Sequence, residues 1–262
     1  MNRVMPLPAV LTIVALVAVV SGCELTIGDR QQTATGDEVT EQRDVGAVTT
    51  VELRSTGTLN LAVGDTPSLS VTARSDVIDD VITAIDGDTL VIDLTDTWGS
   101  TGFLEYDLVV PALSTVVLSG SGEVYGALGA TDTASVAIDG SGAVGLTDLA
   151  ADTVTLTVGG SGAITAPHVT ASEVSVVVDG SGAVDVDGTS DRVRVSVPGS
   201  GDVHAAELVA TDAEVSIDGS GSVTVHATGT LDATIGGSGD VAYHGTPTVT
   251  KHVDGSGDVH AA

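Results

Sequence analysis

The chain has 262 residues, with 8 Lys and Arg against 36 Asp and Glu and a formal net charge of −28. A surface this acidic repels phosphate backbones, which excludes nucleic acid as a partner. Aromatic residues make up 2% of the chain (Trp98, Phe103, Tyr106, Tyr125 and Tyr243), so the core has to be assembled from Val, Ile, Leu and Ala. That suits a thin repetitive core better than a deep ligand cleft.

At the N-terminus, Asn2 and Arg3 precede an apolar run from Val10 to Val20. A membrane span needs about 20 apolar residues, so this run reads as the hydrophobic region of a signal peptide. It ends in Val20-Ser21-Gly22-Cys23, which resembles the lipobox of prokaryotic lipoproteins. The resemblance implies a signal peptide over residues 1–22, cleavage before Cys23, and diacylglycerol attached to the Cys23 sulfur. Two or more acyl chains on one residue are enough for stable membrane anchoring. Cys23 is the only cysteine, which excludes an internal disulfide. Residues 23–44 are polar and lack periodicity, as in Gly28-Asp29-Arg30-Gln31-Gln32-Thr33, and read as a tether.

From residue 45 onward the chain is strand-like. Residues 45–115 alternate irregularly, as in Leu59-Asn60-Leu61-Ala62-Val63 and Leu90-Val91-Ile92-Asp93-Leu94. They read as the first coils and N-terminal cap of a stacked structure, with Trp98, Phe103 and Tyr106 plugging its end. Residues 116–262 carry a repeat. Gly-Ser-Gly starts at Gly120, Gly140, Gly160, Gly180, Gly199, Gly219, Gly237 and Gly255, in steps of 20, 20, 20, 19, 20, 18 and 18 by subtraction. Two positions before the triplets lie Leu118, Ile138, Val158, Val178, Val197, Ile217, Ile235 and Val253. Two positions after them lie Val124, Val144, Ile164, Val184, Val203, Val223, Val241 and Val259. All are aliphatic and, Leu118 apart, β-branched, which favours strands. A third column runs Val116, Val136, Leu156, Val176, Val195, Val215 and Ala233, and the eighth copy departs from it with Lys251. Each unit therefore reads as strand, bend, short strand and polar corner, and a fixed period of this length indicates stacked units. The fold expected is all-β: a right-handed, single-stranded parallel β-helix, or β-solenoid, with coils of about 20 residues. Propeller blades need roughly twice this period.

The segments Arg43-Asp44-Val45, Asp86-Gly87-Asp88-Thr89-Leu90-Val91-Ile92, Leu108-Val109-Val110-Pro111-Ala112-Leu113 and Leu118-Ser119-Gly120-Ser121-Gly122 resemble the putative auto-transporter adhesin, head GIN domain family. The resemblance spans roughly residues 44–262. It implies a right-handed parallel β-helix on an exported protein and brings no catalytic residues with it.

Candidate chemistry is sparse. The triplet serines lack the Gly-x-Ser-x-Gly setting and partners of a nucleophile elbow. A lyase-like, carbohydrate-active site on a β-helix needs a base or cation beside its acids, and the repeat has only Arg192, Arg194 and Lys251. The residues just before the triplets are Ser119, Asp139, Gly159, Asp179, Pro198, Asp218, Gly236 and Asp254. If they share one column, acids recur at every second coil, about 9–10 Å apart. Such a column either spaces charge along the solenoid or offers a row of weak calcium sites. Asp202, Asp240 and Asp258 follow triplets, with His204 and His260 two residues further on, while His226 and His244 share a register. These seven are the metal candidates. The C-terminal coil, ending in Val259-His260-Ala261-Ala262, suggests an open edge for end-to-end pairing of two copies. The expected function is that of a non-catalytic, extracytoplasmic, membrane-anchored lipoprotein. It would act as an acidic scaffold or adhesin-like module toward a surface glycan or envelope protein, without a cofactor. A lyase-like enzyme and an envelope sensor accessory are the alternatives.

Overall fold

Residues one period apart are neighbours across parallel strand pairs. The computed structural model describes residues 32–95 and 98–262, so the signal region and Cys23 lie outside the described residues. Within them, Val116, Val136, Leu156, Val176, Val195, Val215 and Ala233 pair in unbroken succession. So do Val124, Val144, Ile164, Val184, Val203, Val223, Val241 and Val259. The protein is a parallel β-solenoid of about seven turns. One sheet carries the residues before each triplet, and a second carries those after it. Both inner columns are 5% exposed or less. The core is a stack of aliphatic ladders, each side chain contributing about 1.5–3 kcal/mol by leaving water.

A short third side closes the longer coils, where Leu149, Val169, Gly188 and Leu208 are in register. Gly188 has φ +127°, a conformation suited to glycine. The 18-residue coils drop this side. Ala205 pairs with Val225 and Val209 with His226, so residues 206–208 have no counterparts in the next coil.

The bend itself explains the triplet. An added Cβ on Gly180 would overlap the Gly160 carbonyl oxygen, and one on Gly182 would overlap the Gly162 oxygen and lie 2.6 Å from Val158 Cγ1. Every later triplet repeats this crowding against the coil before it. None of the triplet glycines has positive φ, so close approach, and not turn conformation, demands glycine. The intervening serine is exposed, while its amide continues the ladder: Ser181 N donates to Gly160 O (3.0 Å) and Ser200 N to Gly180 O (2.9 Å).

The N-terminal part departs from the expected order. Thr50–Leu53 pairs with both Thr89–Leu94 and Thr115–Leu118, and Thr58–Val63 pairs with both Leu104–Val110 and Glu123–Gly126. The first parallel coil in the chain is thus second in the stack, and the coil at 89–110 lies outside it. Antiparallel strands finish each sheet. Val81–Asp86 pairs with Thr89–Leu94, while Ser68–Arg74 pairs with Leu104–Val110 and in turn with Glu38–Arg43. The tether expected over 23–44 is corrected from residue 32 onward, because Gln32–Thr33 pairs with Trp98–Ser100 and Glu38–Arg43 belongs to the larger sheet, while residues 23–31 lie outside the described residues. The alternation of Glu38–Arg43 places Val39 against the core. Arg43 reaches across to donate from Nη2 to Ile78 O at 3.1 Å.

The aromatic plug is likewise corrected. Tyr106 is fully buried, but Phe103 is 42% exposed. Trp98 is half-buried and donates from Nε1 to Asp80 Oδ2 at 3.1 Å. Tyr106 stands in the aliphatic column, in register with Leu59 and Val71, with its hydroxyl 3.0 Å from Ser55 Oγ, while Trp98 packs against the core only in part.

Two outcomes follow. Gly180→Ala should destabilise by about 3 kcal/mol, because rigid backbone supplies the clash, whereas Ser181→Ala should stay within about 0.5 kcal/mol in denaturant unfolding. Burial, against the weaker opposing effect of the Ser55 hydrogen bond, pushes the Tyr106 phenol up to about 12 from 10. The raised value means that its stabilisation is complete below pH 10 and is lost as pH rises through 12. Tyr106→Phe should therefore flatten the fall in stability between these pH values by roughly 2 kcal/mol.

Candidate functional site

The column of residues before the triplets is real. Asp139 N donates to Leu118 O (3.0 Å), Gly159 N to Ile138 O (2.8 Å), Asp179 N to Val158 O (3.0 Å) and Asp218 N to Val197 O (3.1 Å), each across one coil step. The glycines between the acids also give them room. A Cβ on Gly159 would sit 3.2 Å from Asp139 Oδ1, and one on Gly236 would sit 3.1 Å from Asp218 Oδ1. The carboxylates of Asp139 and Asp218 lean over neighbours without a side chain, and along the column the next acid is about one Debye length away at 0.1 M salt.

The seven metal candidates are scattered over several registers. Asp202 Oδ1 accepts from the Ser222 amide at 2.9 Å, and Asp240 Oδ1 from the Asp258 amide at 2.8 Å. Each of these acids thus caps the next coil. His204 Nδ1 lies 3.0 Å from Asp185 Oδ1. His260 is three coil steps further along the same column, with Nδ1 3.8 Å from Asp258 Oδ2. His226 and His244 do meet, with ring centroids 6.1 Å apart at 45°, and His226 Nδ1 is 3.2 Å from Ala206 O. Among the described residues no three His, Cys, Asp or Glu side chains converge on one point.

The outer faces are flat, and the depressions on them are open. On the first sheet, Thr115, Ser135, Thr155 and Ser175 form one outward column, and Val117, Ala137, Thr157 and Val177 the next. This strip carries no charge. Further along, the first column changes to Arg194, Glu214 and Asp232. Arg194 Nε is 3.2 Å from Glu214 Oε2, and its Nη1 pairs with Glu173 one coil back. Hydrogen bonds from Glu214 first, then Glu173, raise the guanidinium's pKa. A shallow depression of about 290 Å³ lies beside Arg192, Arg194, Asp212 and Asp232. Arg194 thus serves acids of the coils on either side: Glu214 shares its column, while Glu173 lies one column away, in register with Arg192.

The second sheet carries an exposed aromatic that the repeat pattern did not flag. Tyr125 lies against Gly145, where an added Cβ would be 2.8 Å from its Cδ1. In the same column, Asn60 Nδ2 donates to Asp107 Oδ1 at 2.9 Å and to Glu105 Oε1 at 2.7 Å. Near the cap, hydrogen bonds from Arg54 hold the Glu52 carboxyl below its usual value.

The profile of the putative auto-transporter adhesin, head GIN domain family matches residues 47–247. The chain belongs to that family. No curated protein matches it. Among solved structures, a putative lipid binding protein from Parabacteroides distasonis is 26% identical, with a TM-score of 0.79 over 88% of this chain and 99% of that one. A putative adhesin from the same species has 21% identity and a TM-score of 0.77, covering 88% and 99%. A putative adhesin from Parabacteroides merdae has 18% identity and a TM-score of 0.78, covering 88% and 98%. The last two share the fold. Among the described residues no helix is long and apolar enough to cross a membrane.

The glycine gaps in the acidic column make a direct prediction. Gly159→Asp would set three acids on consecutive coils and should lose stability at low ionic strength. Most of the loss should return at about 1 M salt, where the Debye length is about 3 Å. Gly159→Asn should show no such salt recovery in thermal unfolding.

Proposed function

We propose that the protein is a non-catalytic lipoprotein of the cell envelope, held to its membrane through Cys23 and presenting the solenoid as an adhesin-like binding module. The observation that carries this reading is the uncharged strip of Thr, Ser, Ala and Val on the first sheet of a chain with a net charge of −28. A flat, regular, neutral face suits an extended surface glycan or the face of an envelope protein, while the surrounding acids keep the rod soluble and free of non-specific contacts. Chemistry is disfavoured by the dispersal of the acids and histidines over separate columns. No cofactor enters this reading.

Lipid binding is the second reading, favoured by the relative described as a putative lipid binding protein. The open depressions of about 170–360 Å³ argue for contact with a surface over engulfment of an acyl chain, because ligand pockets bury most of their occupant.

Beads coated with the protein should bind intact bacterial cells. Thr155→Glu with Thr157→Glu should reduce that binding by about tenfold, equivalent to about 1.4 kcal/mol, whereas Thr165→Glu with Thr224→Glu on the second sheet should leave it unchanged. Equal effects of the two pairs would remove the strip from the account. Cys23→Ser should move the protein from the membrane fraction to the soluble fraction.

A further inference from the structure

Each sheet of the solenoid ends in a strand that, among the described residues, has a partner on one side only. These four ends differ in chemistry. Glu38–Arg43 closes the second sheet with Glu38, Glu41 and Arg43. Val259–Ala261 at its other end follows Asp258 and contains His260. Thr248–Val253 at the far end of the first sheet carries Lys251 in the inward column, where Ala233 stands one coil earlier, and Lys251 Nζ donates to Val259 O at 3.3 Å. Charges on edge strands, lysine above all, are how proteins keep unpaired backbone from recruiting another strand.

The fourth end carries its charges only at its margins. Val81–Asp86 pairs only with Thr89–Leu94, and its run Val81-Ile82-Thr83-Ala84-Ile85 is uncharged and rich in β-branched residues. Ile82 is 40% exposed and Ile85 is 47% exposed. The register places Ile82 opposite Asp93 and Ile85 opposite Leu90, on opposite faces of the sheet because the odd separation of three residues alternates sides. An added strand would thus find an apolar contact on each face. Acids flank the run, with Asp79 before it and Asp86 and Asp88 after it, all exposed.

We infer that the edge of Val81–Asp86 is a docking site for an extended peptide segment with an uncharged, β-branched centre and basic residues at its ends, received by strand addition. The backbone edge supplies affinity, Ile82 and Ile85 supply the side-chain contacts, and the flanking acids select the charge. A second copy of this chain is a poor occupant. Antiparallel self-pairing would set Asp79 and Asp80 of one copy against Asp86 and Asp88 of the other, and like charges directly opposite are destabilising. The inference is independent of the uncharged strip, which lies elsewhere on the first sheet.

The test uses the full chain, a synthetic nonapeptide Lys-Lys-Val-Thr-Val-Thr-Val-Lys-Lys, and a version in which glutamates replace the lysines. Hydrogen exchange of the protein is followed with each. The lysine peptide should slow exchange within 81–86 and the glutamate peptide should not. Ile82→Lys with Ile85→Lys should weaken binding of the lysine peptide by about tenfold or more while the unfolding midpoint stays put, because both side chains are already exposed. Absence of protection at 81–86, protection at 248–253 in its place, or protection that appears without peptide as protein concentration rises would each overturn the proposal. The last of these would make a second copy the occupant.

Discussion

Successive coils approach each other so closely at the Gly-Ser-Gly bend that no side chain fits between their backbones. The other regularities depend on this constraint. It leaves glycine alone at two positions per coil and lets the ladder of backbone hydrogen bonds run unbroken around the corner. It also locks the register, since a slip by one residue would drive a Cβ into a carbonyl oxygen and turn every inward valine to solvent. With register locked, one residue type can serve one purpose at one position in every coil. The core then needs no large side chains, because each valine packs on its own repeat above and below.

Register control also organises the charge. A net charge of −28 on a narrow rod would be strongly self-repelling if acids stacked directly. The column before the triplets alternates acid with Gly, Pro or Ser, and the carboxylates of Asp139 and Asp218 occupy the room their glycine neighbours leave. On the first sheet Arg194 stands between Glu173 of the coil before it and Glu214 of the coil after it. Elsewhere carboxylates do structural duty, as Asp202 and Asp240 do for amides one coil on. The outcome is an acidic body with one neutral strip and one strand edge whose centre is uncharged, both on the first sheet.

Much of this is legible in the sequence because a solenoid turns tertiary contact into periodicity. Val176 touches Val195 for the same reason that the two align in the repeat, so the ladders, the shared aspartate column and the His226–His244 neighbourhood all follow from counting. The cap is opaque for the complementary reason. Glu38–Arg43, Ser68–Arg74 and Val81–Asp86 are antiparallel partners chosen by tertiary contact, and no period marks them. A polar strand such as Glu38-Val39-Thr40-Glu41-Gln42-Arg43, with one face on the sheet and the other in water, looks like linker when read alone. The candidate chemistry fared similarly. Residue types could be placed in columns, but whether Asp202 and Asp240 faced a ligand or a backbone amide depended on side-chain direction.

The inverted position of the first coil bears on how the chain acquires its shape. Residues 50–63 lie between a layer made of residues 89–110 and one made of residues 115–126. A chain emerging from its N-terminus can leave neither face of that coil satisfied until the later segments arrive. The long closures involved cost only logarithmically more than short ones, but they must be completed together. Beyond residue 126 every coil settles onto one already finished. The contacts therefore fall into two kinds: non-local ones that close the cap, and, in the repeat, contacts of each turn with the turn just before it in sequence. The irregular third of the molecule is held by contacts distant in sequence, and the conspicuous repeat by contacts one period apart.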